Sequence, residues 1–309
     1  MTPLSQTILD RWQVRKSWKQ KSDFIEFLSK EIPELRVEEG GFGKNRNLVV
    51  GDLSSAKIIC TAHYDTCARM FIPNFLTPKN LAVYIAYTIV LCTAILVLPF
   101  LCSFLIHILP MNELVRSFLL LTPSGIAIAE LLLILCGPAN PNTVNDNTSG
   151  VITLCELIQK MTEDERRNIA FVFFDNEEKG MLGSQFFRKL HKQDRLESKL
   201  ILNFDCVSDG DHMMTVMSKS AQTVWGSRIE SAFPTVGHLT LHHFKSSNTR
   251  FPSDQKQFPM SVGIGAMKYR KFIGLYMNRI HTPKDTVMRE ENIDYLVEGT
   301  RRLTSLPNL

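Results

Sequence analysis

Two adjacent glutamates, Glu177 and Glu178, follow directly after an apolar run and are of the residue type that binds metals and moves protons. The run 169–174 has the unbroken apolar character of a strand buried on both faces. In open parallel sheets, ligands bind beyond the carboxyl ends of the strands. Neighbouring side chains leaving a strand point in different directions, so we expect one glutamate to hold a metal and the other to transfer a proton. A solvated acidic loop is the alternative interpretation.

A second polar group, His63-Tyr64-Asp65, follows the predicted strand 57–62. Residues two apart in extended backbone project to the same side, so Asp65 is expected to orient the ring of His63. A carboxylate behind a histidine is the usual outer partner of a metal ligand. An isolated pattern of this kind also occurs in hydrogen-bonded loops without a metal.

Three further candidates lie in the second half of the chain. Asp146 stands just before the predicted helix 151–161, either as a helix cap or as a carboxylate aimed at a site. Asp205 ends the predicted strand 199–204, and His281 lies in a turn before the closing helix 293–303. These positions can converge with His63 and the glutamate pair on one edge of a sheet.

The elements that must position these residues alternate between strands and helices, which predicts an α/β fold with a mostly parallel central sheet and helices on both faces. Before the first site residues, apolar residues recur at helical spacing over 4–32, and that helix carries a basic face. We expect the basic face to be solvated or to touch a membrane surface; its residues are Arg11, Arg15, Lys16 and Lys19.

The donor types predict the metal. Two histidines and several carboxylates, with no cysteine among them, fit zinc bound through nitrogen and oxygen. The set exceeds what one catalytic zinc ion needs, whereas two ions sharing a bridging carboxylate use all of it. A dinuclear hydrolase is therefore the function that the residues favour.

Composition excludes some compartments and some classes of partner. A net charge of +4 over 309 residues is too small to indicate nucleic-acid binding. Seven cysteines, an odd number without a CxxC pair, argue for a reducing compartment rather than a disulfide framework. The first 20 residues carry charges and no apolar core, so no secretory signal is expected there.

An apolar segment interrupts the chain between the first two groups of site residues. The stretch 81–109 contains no Asp, Glu, Lys or Arg, and 117–137 contains one acid, Glu130. Each is long enough to cross a bilayer, which predicts a transmembrane hairpin; a hairpin buried in a soluble protein is the alternative. We therefore divide the chain into 1–80, the hairpin 81–137, and 138–309. Two crossings return the chain to one side, and the excess of lysine and arginine outside the hairpin favours the cytoplasm.

The motifs together resemble the M28 family of zinc metallopeptidases, in type and in order: His63-Tyr64-Asp65, Asp146-Asn147, Glu177-Glu178, Asp205 and His281-Thr282-Pro283. The resemblance implies the zinc-dependent exopeptidase (phosphorylase/hydrolase-like) fold and two Zn²⁺ ions bridged by Asp146. It implies one ion completed by His63 and Asp205, the other by Glu178 and His281. Glu177 would then be the general base and Asp65 the partner of His63, whereas the hairpin departs from the soluble members.

The resemblance also implies the reaction, which is the release of residues from peptides with a free N-terminus. The partners expected are such peptides and a lipid bilayer, without nucleic acid, and the oligomeric state stays open. Two alternatives remain at this point. One is a glutaminyl-cyclase-like acyltransferase with a single zinc ion, and the other is a non-catalytic receptor or binding protein on the same fold.

Overall fold

A computed structural model describes residues 1–70 and 74–305. Within them, nine strands form one sheet in the order β1-β2-β4-β3-β5-β8-β6-β7, with β9 paired to β8. The strands are β1 Arg36–Gly40, β2 Asn45–Val50, β3 Ile58–His63, β4 Ile169–Phe174, β5 Leu200–Phe204, β6 His212–Met217, β7 Thr240–Lys245, β8 Ser261–Arg270 and β9 Gly274–Tyr276.

The centre of this sheet is parallel. Strand β3 pairs in parallel with β4 and with β5, and β5 pairs in parallel with β8. Antiparallel pairs lie toward the margins, between β2 and β4 and between β6 and β8. The predicted α/β class is confirmed, with a mixed sheet whose central strands are the parallel ones. Strands on both sides of the apolar segment, from 1–80 and from 138–309, belong to this one sheet.

Apolar side chains on both faces of the central strands explain their unbroken apolar sequences. On β3, Ile58 and Cys60 pack into the larger core, and Ile59 packs into a second core on the opposite face. Helices cover both cores. The helices are α1 Pro3–Arg11, α2 Trp18–Glu31, α3 Leu81–Ile108, α4 Glu113–Leu119, α5 Thr122–Cys136, α6 Ser149–Lys160, α7 Glu163–Arg166, α8 Leu182–Leu190, α9 Lys219–Ala232 and α10 Glu290–Ser305.

The N-terminal helical pattern differs from its prediction in one respect. The expected helix 4–32 is two helices, α1 and α2, and the segment between them carries Arg15 into the interior. The Arg15 guanidinium donates to the backbone oxygens of Tyr64 and Trp12 and to Thr148 Oγ1. Arg15 is therefore not part of a solvated basic face, because buried carbonyl and hydroxyl acceptors satisfy most of its donors.

The apolar segment forms a helical hairpin beside the sheet domain. Helix α3 and the stretch Glu113–Cys136, which contains α4 and α5, are each long and apolar enough to span a membrane. Large apolar side chains along both are exposed, as expected of surfaces that face lipid. The two stems of the hairpin meet where Ala68 pairs with Ala139 in an antiparallel bridge. Arg69 N–H donates to Pro138 O at 2.8 Å and closes this junction.

Candidate metal centre

Three adjacent parallel strands deliver polar residues to the same edge of the sheet. His63 is the last residue of β3 and lies opposite Phe174, the last residue of β4. Glu177 follows β4 after two residues, and Asp205 follows β5 directly. Because β3 lies between β4 and β5, the structure brings His63, Glu177, Glu178 and Asp205 together at that edge.

Asp146 reaches the same place from the segment that leads into α6. Asn147 holds this segment against the end of β5, since its Nδ2 donates to Phe204 O at 3.0 Å and its Oδ1 accepts from the Cys206 N–H at 3.1 Å. Gly150 permits the close approach, because a Cβ at this position would lie 2.4 Å from Phe204 O. The peptide bond between Asp146 and Asn147 is cis.

The Asp146 carboxylate lies between the two histidines. Its Oδ1 is 3.4 Å from His63 Nε2, and its Oδ2 is 3.0 Å from His281 Nε2. His63 Nε2 is also 3.6 Å from Asp205 Oδ1, and His281 Nε2 is 3.4 Å from Glu178 Oε2. The five residues therefore form two groups that share Asp146, and potential ligand atoms in each group lie within 4.8 Å of one another.

The donor set fits divalent zinc. Two buried carboxylate oxygens, Glu178 Oε1 and Asp205 Oδ1, have no hydrogen-bond partner among the residues that the structure describes. Buried carboxylate oxygens are costly unless a donor or a metal satisfies them. Imidazole nitrogen and carboxylate oxygen are ligands that zinc accepts, so the residues present suit such ions.

Asp65 lies beneath the glutamate pair. Its Oδ1 accepts the Glu177 N–H at 2.9 Å, and its Oδ2 accepts the Glu178 N–H at 3.2 Å. The shortest contact of His63 Nδ1 is with the backbone oxygen of Asp65, at 3.1 Å, whereas the Asp65 carboxylate lies 3.6 Å away. The sequence pattern accounts for the Asp65–His63 proximity, but the main hydrogen bonds of the carboxylate go to the backbone of Glu177 and Glu178.

Burial displaces the pKa values of the site residues in different directions. Burial raises the pKa of Glu177 well above its usual range, and it raises that of Glu178 to about 8 against the opposing effect of His281. Burial lowers the pKa of His281, but Glu178 and Asp146 outweigh this and raise it to about 9. Burial raises the pKa of Asp146, yet hydrogen bonds with His281 and His63 bring it below its ordinary value. Such opposed shifts are typical of functional sites.

Backbone conformation is unusual at the same positions. Asn176, Cys206 and His281 adopt left-handed backbone angles, with φ of 54°, 57° and 60°. This region is uncommon for residues other than glycine, and such residues concentrate at functional sites. Asn176 directly precedes the glutamate pair, Cys206 directly follows Asp205, and His281 is itself a candidate ligand.

The structure adds residues that the sequence did not single out. Cys67 Sγ lies near the group of Asp146, Glu178 and His281, although no cysteine was expected there. Asp254 is fully buried and accepts a hydrogen bond from Ser184 Oγ at 2.5 Å, and burial raises its pKa to about 7. Cys67 stands only two residues after Asp65, so its nearness in sequence was an available signal.

A cavity of about 450 Å³ opens onto the candidate ligands. The loop around Phe251 and Pro252 forms one wall. Helix α3 forms another wall, which the sequence did not predict; its contributing residues are Tyr84, Tyr87, Thr88 and Leu91. The hairpin therefore touches the site itself.

Solved structures share this architecture. The LapA aminopeptidase of Legionella pneumophila superposes with a TM-score of 0.56 and 12% identity, covering 97% of this chain and 67% of that chain. The glutaminyl cyclase of Porphyromonas gingivalis superposes with a TM-score of 0.57 and 14% identity, covering 97% and 96%. At such identities the similarity establishes the fold and not the reaction.

Sequence comparison identifies the family. A probable leucine aminopeptidase of Arthroderma otae is 27% identical over 159 residues, which cover 46% of this chain and 41% of that protein. The matched region thus spans less than half of the relative. The model of peptidase family M28 matches residues 134–297, more than half of the chain and the part that carries most of the candidate ligands. The chain belongs to peptidase family M28.

Proposed function

We propose that this chain is a zinc-dependent aminopeptidase that holds two zinc ions and removes residues from peptides with a free N-terminus. The observation that carries the proposal is the position of Asp146, whose two carboxylate oxygens face different histidines at 3.4 and 3.0 Å. A carboxylate in this position suits a bridge between two ions. Family membership and the aminopeptidase relative support the reaction class.

In this proposal Asp146 belongs to both metal sites. His63 and Asp205 complete one site, and Glu178 and His281 complete the other. When bound, zinc supplies Lewis-acid polarisation of a carbonyl oxygen and makes water at the site more acidic.

Glu177 is the proposed general base. Burial and the neighbouring acids raise the pKa of its carboxyl group, which suits a group that takes up a proton. Glu177 accepts the proton of the attacking water and returns it to the nitrogen of the leaving amine. Asp65 is a positioning residue, since it holds the backbone N–H of Glu177 at 2.9 Å and fixes where the side chain begins.

We further propose that the hairpin anchors the protein in a membrane, with the catalytic body on the cytoplasmic side. The length and apolar character of its helices support the anchor. Arg116, paired with Glu113 at 2.8 Å, is the sole lysine or arginine within 81–137. The other lysines and arginines lie outside the hairpin, and membrane proteins keep such residues mostly on the cytoplasmic side, which supports a cytoplasmic body. Asn112 is exposed in the turn between the two spans, so cysteine labelling of Asn112→Cys from outside intact cells tests the orientation, and protection of that cysteine would contradict it.

The reaction is tested with full-length protein in detergent and matched peptides with free or acetylated N-termini. We expect stepwise loss of residues from the free peptides alone, abolished by a chelator and restored by zinc, with close to two zinc ions bound per chain. A peptide that begins with glutamine separates the alternatives. Its conversion to pyroglutamate, with about one zinc ion bound, would replace the aminopeptidase by a cyclase.

The base assignment is tested with Glu177→Gln, which keeps the side-chain shape and removes the proton acceptor. We expect kcat to fall about 10²- to 10⁴-fold with zinc content unchanged. The matched control is Glu298→Gln, an exposed position on α10, which should keep full activity. A Glu177→Gln protein as active as the control would exclude Glu177 as the base.

A further inference from the structure

One face of helix α3, the α3 stripe, lines cavities along its length. Tyr84, Tyr87, Thr88 and Leu91 line the cavity over the candidate metal ligands. Leu91, Ala94 and Ile95 line a second cavity, between α3 and α5. These positions recur three or four residues apart, so they share one helix face, which extends over about 16 Å at the rise of an α-helix.

The second cavity is a groove with apolar walls. It measures about 160 Å³ and is bordered on the α5 side by Glu130, Leu133 and Ile134, with Met70 at one end. An intermediate cavity of about 240 Å³ joins it to the site. That cavity shares Tyr87, Glu178 and His281 with the site and shares Met70, Leu91 and Ile134 with the groove. The three cavities are therefore neighbours along one side of α3, from the candidate ligands to the space between the helices.

One acidic residue, Glu130, lies in the lining of the groove. Glu130 Oε2 is buried, and the part of the chain that the structure describes offers it no hydrogen-bond partner. A hydrocarbon chain has no donor for this oxygen, whereas extended peptide backbone carries one N–H per residue. The carboxylate therefore favours a peptide over an acyl chain as the occupant.

We propose that the cavities along the α3 stripe, from the candidate ligands to the groove between α3 and α5, hold the apolar residues that follow the N-terminus of the substrate, so that the protein selects peptides whose first residues are apolar. The inference rests on the proposed aminopeptidase function and names its substrate class. At about 3.3 Å per residue in extended backbone, the 16 Å stripe accommodates about five residues. The selectivity should therefore extend over about five residues beyond the scissile bond.

The test uses the full-length protein in phosphatidylcholine nanodiscs and peptides that share a free N-terminal leucine. Tails of one, three, five or seven alternating leucine and alanine residues are compared with tails of glycine and serine. We expect kcat/KM to rise at least tenfold along the apolar series, to level off near five residues, and to stay flat along the polar series. Equal values for both series would overturn the inference.

A dipeptide carrying an alkyl amide as long as the five-residue tail tests the choice of occupant. A peptide in the groove predicts that the alkyl compound gains much less than the peptide. An equal gain would show that the groove holds hydrocarbon, and it would overturn the assignment to a peptide.

Substitutions in the groove test whether the dependence on tail length arises there. Ala94→Trp fills the groove from α3, and Ile134→Trp narrows it from α5, so the inference is tested even if one of them fails to fold. We expect each to reduce the ratio of long-tail to short-tail kcat/KM at least tenfold. The control is Ile89→Trp, because Ile89 lies on α3 with 60% of its surface exposed and lines none of these cavities. It should keep the wild-type ratio.

The outcomes separate the two proposals. Cleavage of neither tail series by the wild-type protein, with zinc bound, refutes the aminopeptidase function and the inference with it. Cleavage of both series, with a ratio that neither groove variant changes, refutes the inference and leaves the proposed function standing.

Discussion

Replacing Asp65 by asparagine tests how the glutamate pair is held. The carboxylate accepts two backbone N–H groups, from Glu177 at 2.9 Å and from Glu178 at 3.2 Å. Asparagine has almost the same shape but offers one oxygen and one NH₂ group. Whichever way the amide turns, one backbone N–H then faces another donor. The glutamate backbone must move, and it carries a proposed ligand and the proposed base.

The expected loss of zinc affinity in Asp65→Asn follows from these contacts. A hydrogen bond to a charged group contributes about 1.5–3 kcal/mol, and Asp65→Asn loses one while weakening the other. Residues that support a metal ligand typically contribute 10- to 100-fold to metal affinity or activity. We therefore expect zinc affinity to fall about 10- to 100-fold, equivalent to about 1.4–2.8 kcal/mol. kcat/KM at saturating zinc should fall as well, because the displaced backbone also carries the proposed base Glu177.

The assay is competition for zinc with a chromophoric chelator at fixed pH, followed by peptide hydrolysis at saturating zinc. The matched control is Asp52→Asn. Asp52 is exposed on the far loop before β3, and its carboxylate likewise accepts a backbone N–H, from Ser54 at 2.9 Å. The control should bind zinc as the wild-type protein does. If Asp65→Asn also binds zinc within about twofold of wild type, the proposed coupling through the glutamate backbone is wrong.

Two predictions concern stability. Lys21 Nζ lies 2.5 Å from Asp175 Oδ1, and both side chains are buried. Lys21→Met leaves the Asp175 charge buried without its partner, so it should reduce the free energy of unfolding by about 3–5 kcal/mol. A second change, Asp175→Asn, should restore part of that loss. Urea unfolding of both variants measures this, and a loss below about 1 kcal/mol would contradict it. Burial opposes protonation of His191, but Glu38 and Asp194 outweigh this effect and raise the pKa of His191. The contribution of these ion pairs to the free energy of unfolding is therefore complete below the unfolded pKa of about 6.5, and it is lost as the pH rises through the folded pKa. His191→Gln should therefore reduce the free energy of unfolding by about 1 kcal/mol at pH 6 and by less at pH 9. A reduction that grows with pH would contradict this prediction.

The strands that form the site could be predicted because their sequences are simple. The apolar runs that become β3, β4 and β5 end abruptly at His63, near Glu177 and at Asp205. Parallel pairing then places those ends along one edge, which needs no knowledge of side-chain packing. Position along the chain was therefore sufficient to bring these candidates together.

Other features depend on tertiary contacts that no local pattern contains. In the sequence, Arg15 is one of four basic residues on a predicted helix. Its burial is explained by hydrogen bonds to Tyr64 O, just after β3, and to Thr148 Oγ1, just before α6, which the sequence does not show. Asp254 begins a 3₁₀ helix of four residues, which is too short for the spacing of apolar residues to show which side chains are buried. The role of α3 as a wall of the cavity was also missed, because a helix that is apolar all round has no polar face to show which side meets protein.

The junction at the base of the hairpin has a consequence for the insertions that this fold tolerates at this point. Ala68 pairs with Ala139, and Asn140 N–H donates to Cys67 O at 3.2 Å, so the chain leaves and re-enters the sheet domain at neighbouring points. Such a junction accepts excursions of different length at little cost, because the entropy of closing a loop grows slowly with its length. The hairpin can in this sense be replaced by an insertion of another length. Since it also supplies one wall of the cavity, exchanging it alters the wall that faces the candidate metal ligands and leaves those ligands in place.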